Sequence, residues 1–281
     1  MGIVVGSLAG QNWHRQVRRL GLGKKERFDY VFDKTAAAAK RFGFSPMGID
    51  MGASSFPSTD RSYLDELKAR LKENNMVPMV GFGSVACTYD AEVREATLKE
   101  ALAGLEIAAY MGAEVSNFSC QRNGRVTRAG QLQFAIDQLK IVGKAAKDLG
   151  LLICQEDFDY WSSTELVAMC VGTGLDNVGI NNDTGNWLII NEDPTQASQT
   201  VLPWTFHAHI RDYVMEQGTY TGVAVGAGLV DFERLLPVVA KAGENRTLLF
   251  SIEVDTDHHD EDEEFDKSCQ YVKDWLAKYN K

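Results

Sequence analysis

Four side chains that can bind a divalent metal stand at the downstream ends of four apolar runs. They are Glu156, Asp183, His209 and Glu253, and each run is typical of a buried strand. One such residue alone would indicate a salt-bridged carboxylate or a hydrogen-bonded core histidine. Four at the same relative place predict a single metal site. Three carboxylates and one imidazole favour Mn²⁺, with Mg²⁺ or Co²⁺ as alternatives.

Strand-like runs and amphipathic stretches alternate along the whole chain. The expected strands begin near eight residues: Ile3, Met47, Val77, Glu114, Leu151, Val178, Thr205 and Thr247. Eight strand-then-helix units in 281 residues predict an α/β fold, a (β/α)₈ TIM barrel with residues 1–281 as one domain. An open doubly wound sheet is the alternative, but no strand is followed by GxGxxG. The barrel predicts that the four metal-binding side chains meet at one face.

Composition narrows the classes of partner. A net charge of −10 argues against general affinity for nucleic acid. No stretch approaches the length of a membrane span, and the first residues lack a secretion signal. The five cysteines are scattered without CxxC spacing, as expected for free thiols in a reducing compartment. We therefore predict a cytoplasmic protein that uses a small molecule and does not bind membranes. Barrels of this kind commonly pair, so a homodimer is expected.

The motifs around the four residues resemble those of the xylose isomerase-like superfamily, and within it the sugar isomerase/epimerase branch. They are NNDTGN around Asp183, HAHIRD around His209, SIEVD around Glu253 and VGAGLVDFERLL over residues 225–236. The resemblance implies one divalent ion that chelates two neighbouring oxygens of a sugar, sugar phosphate or cyclitol. It also implies that Glu156 and Glu253 serve both as metal ligands and as the acid and base that move a proton through an enediolate.

Two positions depart from the ketose 3-epimerases of that branch. Asn186 stands three residues after Asp183, where those enzymes carry a histidine. Met215 stands six residues after His209, where they carry an arginine. Both groups contact sugar oxygens in those relatives, so the resemblance does not extend to a 3-epimerase of free ketohexoses.

Several other residues are candidates for substrate contact. His207 shares the strand face of His209 and could contact substrate or support the site. The remaining candidates are His14, Asn186, Arg122 and Trp161, the last together with Phe158 and Tyr160 as possible apolar walls. A group of basic residues between strand 1 and helix 1 could bind a phosphate or carboxylate, or form a solvated loop: Arg15, Arg18, Arg19, Lys24, Lys25 and Arg27.

Three other functions use the same features. A metal-dependent dehydratase acting on a keto-cyclitol or keto-sugar starts with the same proton abstraction, but its product lacks one water. An abasic-site endonuclease occurs on this architecture, yet it resembles a histidine-rich three-zinc cluster, and this chain has five histidines in all. The third alternative is a sugar-binding subunit that depends on a partner chain.

Overall fold

The structure is a computed structural model that describes residues 2–156, 161–256 and 258–279. The strands are β1 (Ile3–Leu8), β2 (Met47–Gly52), β3 (Met76–Gly81), β4 (Ser84–Ala86), β5 (Val115–Gln121), β6 (Leu152–Glu156), β7 (Val178–Asp183), β8 (Thr205–Ile210), β9 (Asp212–Glu216), β10 (Thr219–Val223) and β11 (Leu248–Ile252). The helices are α1 (Ala9–Asn12), α2 (His14–Arg19), α3 (Lys24–Phe42), α4 (Arg61–Glu73), α5 (Ala91–Met111), α6 (Arg128–Asp148), α7 (Ser163–Thr173), α8 (Asn186–Ile189), α9 (Pro194–Val201), α10 (Phe232–Val239) and α11 (Glu261–Tyr279). Short 3₁₀ turns span Ala53–Ser55, Leu202–Trp204 and Ala240–Glu244.

Nine parallel strands form the main sheet, in the order β3-β2-β1-β11-β8-β7-β6-β5-β4. The two ends of this order, β3 and β4, are consecutive pieces of one segment interrupted at Phe82 and Gly83. The Phe82 amide donates to the Asn117 carbonyl of β5 at 3.0 Å, and the Ser119 amide donates to Gly83 at 3.2 Å. The sheet therefore curls round on itself with helices between its strands, and the predicted (β/α)₈ barrel is confirmed. That residues 1–281 form one domain stays a prediction.

Local sequence signals explain where the outer helices start and stop. Asp90 caps α5 by accepting hydrogen bonds from the Glu92 and Val93 amides, and Gly112 ends it with a φ of 81°. A capping box joins Ser162 and Glu165 at the start of α7. The helix faces turned to the sheet are apolar, and Leu105, Leu139 and Leu166 are among their fully buried residues. In the part of the chain that the structure describes, no helix is both long and apolar enough to cross a bilayer.

A two-stranded antiparallel hairpin, β9 and β10, follows the site-bearing strand β8. Asp212, the first residue of the hairpin, accepts hydrogen bonds from the amides of Gly226, Gly228 and Val230 at 2.8–3.0 Å. A Cβ at Gly228 would meet the Asp212 carboxylate and the Tyr213 carbonyl, so this close approach requires glycine. Asp212 therefore ties the returning loop to the end of β8.

Candidate metal centre

The four predicted metal-binding residues meet at one end of the barrel. Glu156 and Asp183 are the last residues of β6 and β7, His209 is the fifth residue of β8, and Glu253 directly follows β11. Asp183 pairs in register with His209, and His209 with Ser251, two residues before Glu253. One ligand atom from each of the four lies within 4.8 Å of the others. Parallel pairing therefore converts four distant positions into one cluster, as the barrel predicted.

The atoms of this cluster converge on the Nδ1 nitrogen of His209. Glu253 Oε2 lies 3.0 Å from it, Glu156 Oε1 3.1 Å and Asp183 Oδ2 3.8 Å. His209 Nδ1 and Glu253 Oε2 are both buried, and neither has a hydrogen-bond partner within residues 2–156, 161–256 and 258–279. Buried polar atoms without a partner are costly. A divalent cation would satisfy both, and the oxygen-rich donor set suits Mn²⁺ or Mg²⁺, so the residues fit such an ion.

Arg211 is a member of the site that the sequence reasoning did not assign. Its side chain is 9 % exposed, and its guanidinium lies 2.5 Å from Glu253 Oε1, 3.2 Å from Asp183 Oδ2 and 3.3 Å from Asp255 Oδ2. Arg211 thereby forms an ion pair with Oε1 of Glu253, while Oε2 of the same carboxylate faces His209 Nδ1. Arg211 follows His209 by two residues, the spacing that repeats a face of an extended chain. This spacing was the available signal for it.

The electrostatics of these carboxylates follow from burial and from Arg211. Burial raises the pKa of Asp183, but Arg211 and His209 outweigh it and hold the pKa below its usual value. For Glu253 burial prevails over the opposing effects of Arg211 and His209, so its pKa is raised. Glu253 therefore holds a proton more readily than an ordinary glutamate, whereas Asp183 stays ionised.

Asp50, the fourth residue of β2, lies on the other side of the His209 ring. Its Oδ2 is 3.1 Å from His209 Nε2, and its side chain is buried. A carboxylate on the second nitrogen of a metal-binding histidine fixes the ring and makes the first nitrogen a better ligand. Asp50 also stands near the downstream end of an apolar run, so the criterion that found the other four applies to it. We assign it the role of a positioning residue for His209.

Replacing Asp50 by asparagine is expected to weaken Mn²⁺ binding by about 10- to 100-fold, because His209 loses the charge that orients and polarises it. Titration of the metal-free protein with Mn²⁺, followed by calorimetry, measures the affinity. Asp33→Asn, at an exposed carboxylate on α3, is the matched control and is expected to bind as the parent does. A folded Asp50→Asn protein with unchanged affinity would contradict the assignment.

Protons compete with the metal at His209. In the metal-free protein burial lowers the pKa of His209, but the carboxylates of Glu156, Asp183 and Asp50 outweigh it and raise the pKa well above 6.5. The ring therefore holds a proton more readily than a free imidazole, and a cation must displace that proton. Metal affinity is expected to rise with pH, by about tenfold per unit while His209 is protonated. Calorimetry in buffers of different ionisation enthalpy should show close to one proton released, and an affinity independent of pH would refute this.

The other predicted residues divide into those near the cluster and those away from it. Asn186 is near: its backbone amide lies 3.3 Å from Asp183 Oδ1, and its side-chain oxygen lies 3.4 Å from Arg211. His14 starts α2, 3.4 Å from Asp255 Oδ1, and lines a cavity that adjoins the cluster. His207 lies deeper in the barrel, fully buried, with Nε2 2.8 Å from Ser251 Oγ. The substrate contact predicted for His207 stays a prediction.

Arg122 and Trp161 lie elsewhere. Trp161 is fully buried and its indole N–H donates to the Cys120 carbonyl at 2.9 Å, so it is a core residue and not the pocket wall that was considered. Arg122 lies over the Trp161 ring, and its Nε donates a hydrogen bond to Gln131 Oε1 at 3.3 Å. The surface cavity that Arg122 lines shares no residue with the metal cluster. The two aromatic residues Phe158 and Tyr160 lie outside the described residues.

A cavity of about 440 Å³ opens above the cluster. It is lined by Asp50, Glu156, His209, Arg211 and Glu253, and further by Asn117 and Asp255. Such a volume accommodates a small polyhydroxylated molecule. The arrangement can therefore hold a cation and place one or two glutamates beside a substrate bound to it.

Comparisons with known proteins point to one family. A family model described as xylose isomerase-like TIM barrel matches residues 36–275. No curated protein matches the chain by sequence. D-psicose 3-epimerase from Clostridium cellulolyticum H10, solved with D-tagatose, has a TM-score of 0.72 at 16% identity, over 97% of this chain and 97% of that chain.

Two further solved structures resemble the chain to a similar degree. A xylose isomerase-like TIM barrel protein from Mycobacterium smegmatis, in complex with magnesium, has a TM-score of 0.68 at 18% identity, over 98% of this chain and 96% of that chain. A probable 3-DHS dehydratase from Bacillus anthracis has a TM-score of 0.69 at 12% identity, over 96% of this chain and 97% of that chain. At these identities the similarity concerns the fold.

Proposed function

The chain belongs to the xylose isomerase-like TIM barrel family, and from this premise we propose that it is a divalent-metal-dependent sugar isomerase or epimerase. The observation that carries the proposal is the convergence of Glu156, Asp183, His209 and Glu253 within 4.8 Å, with two buried ligand atoms that have no hydrogen-bond partner among the described residues. Mn²⁺ is the expected ion, with Mg²⁺ or Co²⁺ as alternatives.

A divalent ion bound there would polarise a substrate carbonyl and the adjacent hydroxyl, which acidifies the C–H bond between them. The protein's own part is to move the proton. Glu156 and Glu253 approach His209 from β6 and from the end of β11, which are separated in the sheet by β7 and β8. Two carboxyl groups on different sides of a bound substrate can remove a proton from one face of a carbon and return it to the other.

The two glutamates differ in their surroundings. Arg211 fixes Glu253 through Oε1 at 2.5 Å, and the Glu253 side chain is 3% exposed. The side chain of Glu156 is 21% exposed, so water reaches it more readily. We assign Glu253 as the carboxylate that holds the substrate proton and Glu156 as the one that exchanges its proton with solvent. The raised pKa of Glu253 fits the first role.

A dehydratase remains the second candidate, because its reaction begins with the same proton abstraction and a probable dehydratase shares the fold. Its enolate would lose a β-hydroxyl instead of regaining the proton. A three-zinc nuclease is less well supported, since the cluster contains one imidazole.

Metal analysis and isotope exchange test the proposal. The purified protein is expected to contain one divalent ion for each chain and to transfer deuterium from heavy water into a ketose or keto-cyclitol from a panel. Chelation should abolish the uptake and Mn²⁺ should restore it. A product of conserved mass indicates an isomerase or epimerase, and loss of one water indicates a dehydratase. A metal-loaded protein that exchanges no proton into any panel member would contradict both.

A further inference from the structure

A second cavity, of about 400 Å³, adjoins the one above the metal cluster. Gly10, Gln11, Ser54 and Ser55 line both, so the two cavities form one continuous recess. The floor of the second cavity is apolar and is formed by residues of α3 and β2 that include Phe28, Phe32, Ile49 and Met51. Its polar wall carries three cationic side chains: Arg18, Lys24 and Arg27.

The second cavity is positively charged although the chain as a whole is acidic. None of the described residues that line it is acidic, although the chain has 39 acidic residues and a net charge of −10. The adjoining cavity, in contrast, is lined by Asp50, Glu156, Glu253 and Asp255. The recess therefore has an acidic end, which suits a cation, and a basic end. Binding of the metal ion does not require the basic end.

Arg18, Lys24 and Arg27 have no carboxylate partner in the described part of the chain, and Arg27 donates only to the Leu22 carbonyl, at 3.2 Å. Two nearby lysines that do not line the cavity are paired. Lys25, next to Lys24, pairs with Asp29 at 2.7 Å, and Lys34 pairs with Asp262 at 2.6 Å. Three cations without a carboxylate counterion among the described residues therefore face one recess, whereas these two nearby lysines are neutralised.

We propose that this basic cavity binds a phosphate monoester at the end of the substrate remote from its carbonyl. The inference rests on the proposed function and narrows its substrate class to phosphorylated sugars or cyclitols. Three separate cations exceed what one carboxylate requires, because a single arginine binds it through both oxygens, whereas a phosphate offers three terminal oxygens. The Ser54 hydroxyl on the shared rim adds a neutral donor between the two ends, whereas the Ser55 hydroxyl already donates to the Gly52 carbonyl at 2.6 Å.

Direct titration with inorganic phosphate tests this, because inorganic phosphate makes no demand on sugar stereochemistry. The Mg²⁺-loaded protein is expected to bind inorganic phosphate, and acetate at least about tenfold more weakly. Arg18→Gln and Arg27→Gln are each expected to weaken phosphate binding by about tenfold. Arg19→Gln and Lys25→Gln remove neighbouring charges that do not line the cavity and are expected to change it less than about twofold. Phosphate bound at the metal instead would be insensitive to all four variants.

Equal losses in the cavity variants and the controls, no phosphate binding, or equal affinity for acetate would each overturn the inference. The proton-exchange assay separates this outcome from that of the proposed function. For any ketose that exchanges, the phosphorylated form is expected to have a lower KM than its parent, and Arg18→Gln should raise that KM while leaving kcat nearly unchanged. Metal-dependent exchange without such a preference would uphold the isomerase and reject the phosphate site. Phosphate binding without any proton exchange would uphold the phosphate site and reject the isomerase.

Discussion

Replacing Glu253 by glutamine is expected to lower the rate of deuterium uptake by about 10²- to 10⁴-fold, the contribution of a positioned acid or base. Glutamine has nearly the same volume, and its amide oxygen can keep the contact with Arg211 that Glu253 Oε1 makes at 2.5 Å. What it loses is the ability to take a proton at Oε2, the atom that lies 3.0 Å from His209 Nδ1. The measurement is deuterium incorporation under saturating metal, so that a weaker metal ligand does not imitate a missing base.

Two controls make this result specific. Glu233→Gln, at an exposed glutamate on the outer helix α10, should exchange at the parent rate. The metal content of the Glu253→Gln protein, measured in the same preparation, separates loss of the ion from loss of the base. Unchanged uptake in a metal-loaded Glu253→Gln protein would reject the acid/base assignment of this residue.

The sequence predicts most of the fold because strands and helices differ in hydrophobic period. The eight expected strand starts all fall within one or two residues of observed strands. The hairpin of β9 and β10 was not predicted. Its turn contains Gln217 and Gly218 with φ angles of 50° and 82°, and glutamine is a weak signal for a position that favours asparagine or aspartate.

The cluster was predictable in outline because each of its four residues closes an apolar run. Asp50 was missed because two further residues of β2 follow it, and Arg211 because a guanidinium does not bind a metal ion. The rotation of a helix about its axis decides which of its basic residues face the recess. The sequence alone did not predict this rotation. Lys24 and Arg27 are three residues apart and share one face of α3, whereas Lys25 is turned away to Asp29. The burial of Trp161 results from tertiary packing, and the neighbouring sequence does not indicate it.

Removing Arg211 is expected to destabilise the metal-free protein more than removing any exposed arginine. Arg211→Met removes the guanidinium partner of the buried carboxylates of Asp183 and Glu253, and breaking a buried ion pair by removing one partner costs about 3–5 kcal/mol. Urea unfolding of the metal-free protein at neutral pH measures this loss. Arg41→Met is the matched control, because Arg41 pairs with Asp266 at the surface with 56% of its side chain exposed. Such a pair contributes about 1 kcal/mol or less.

The dependence of this loss on pH and metal identifies its cause. Arg211 lowers the pKa of Asp183 below its unfolded value, so its stabilising effect is present above the unfolded pKa and is lost as the pH falls through the folded pKa. The difference between the parent and Arg211→Met should therefore be largest at neutral pH and shrink in acid, where the carboxylates are protonated in both. A divalent ion supplies positive charge to the same carboxylates, so saturating Mn²⁺ should recover part of the lost stability of Arg211→Met but none of the loss in Arg41→Met. A deficit in Arg211→Met that neither acid nor metal reduces would mean that Arg211 stabilises the barrel by packing alone, and that its charge is not part of the metal centre.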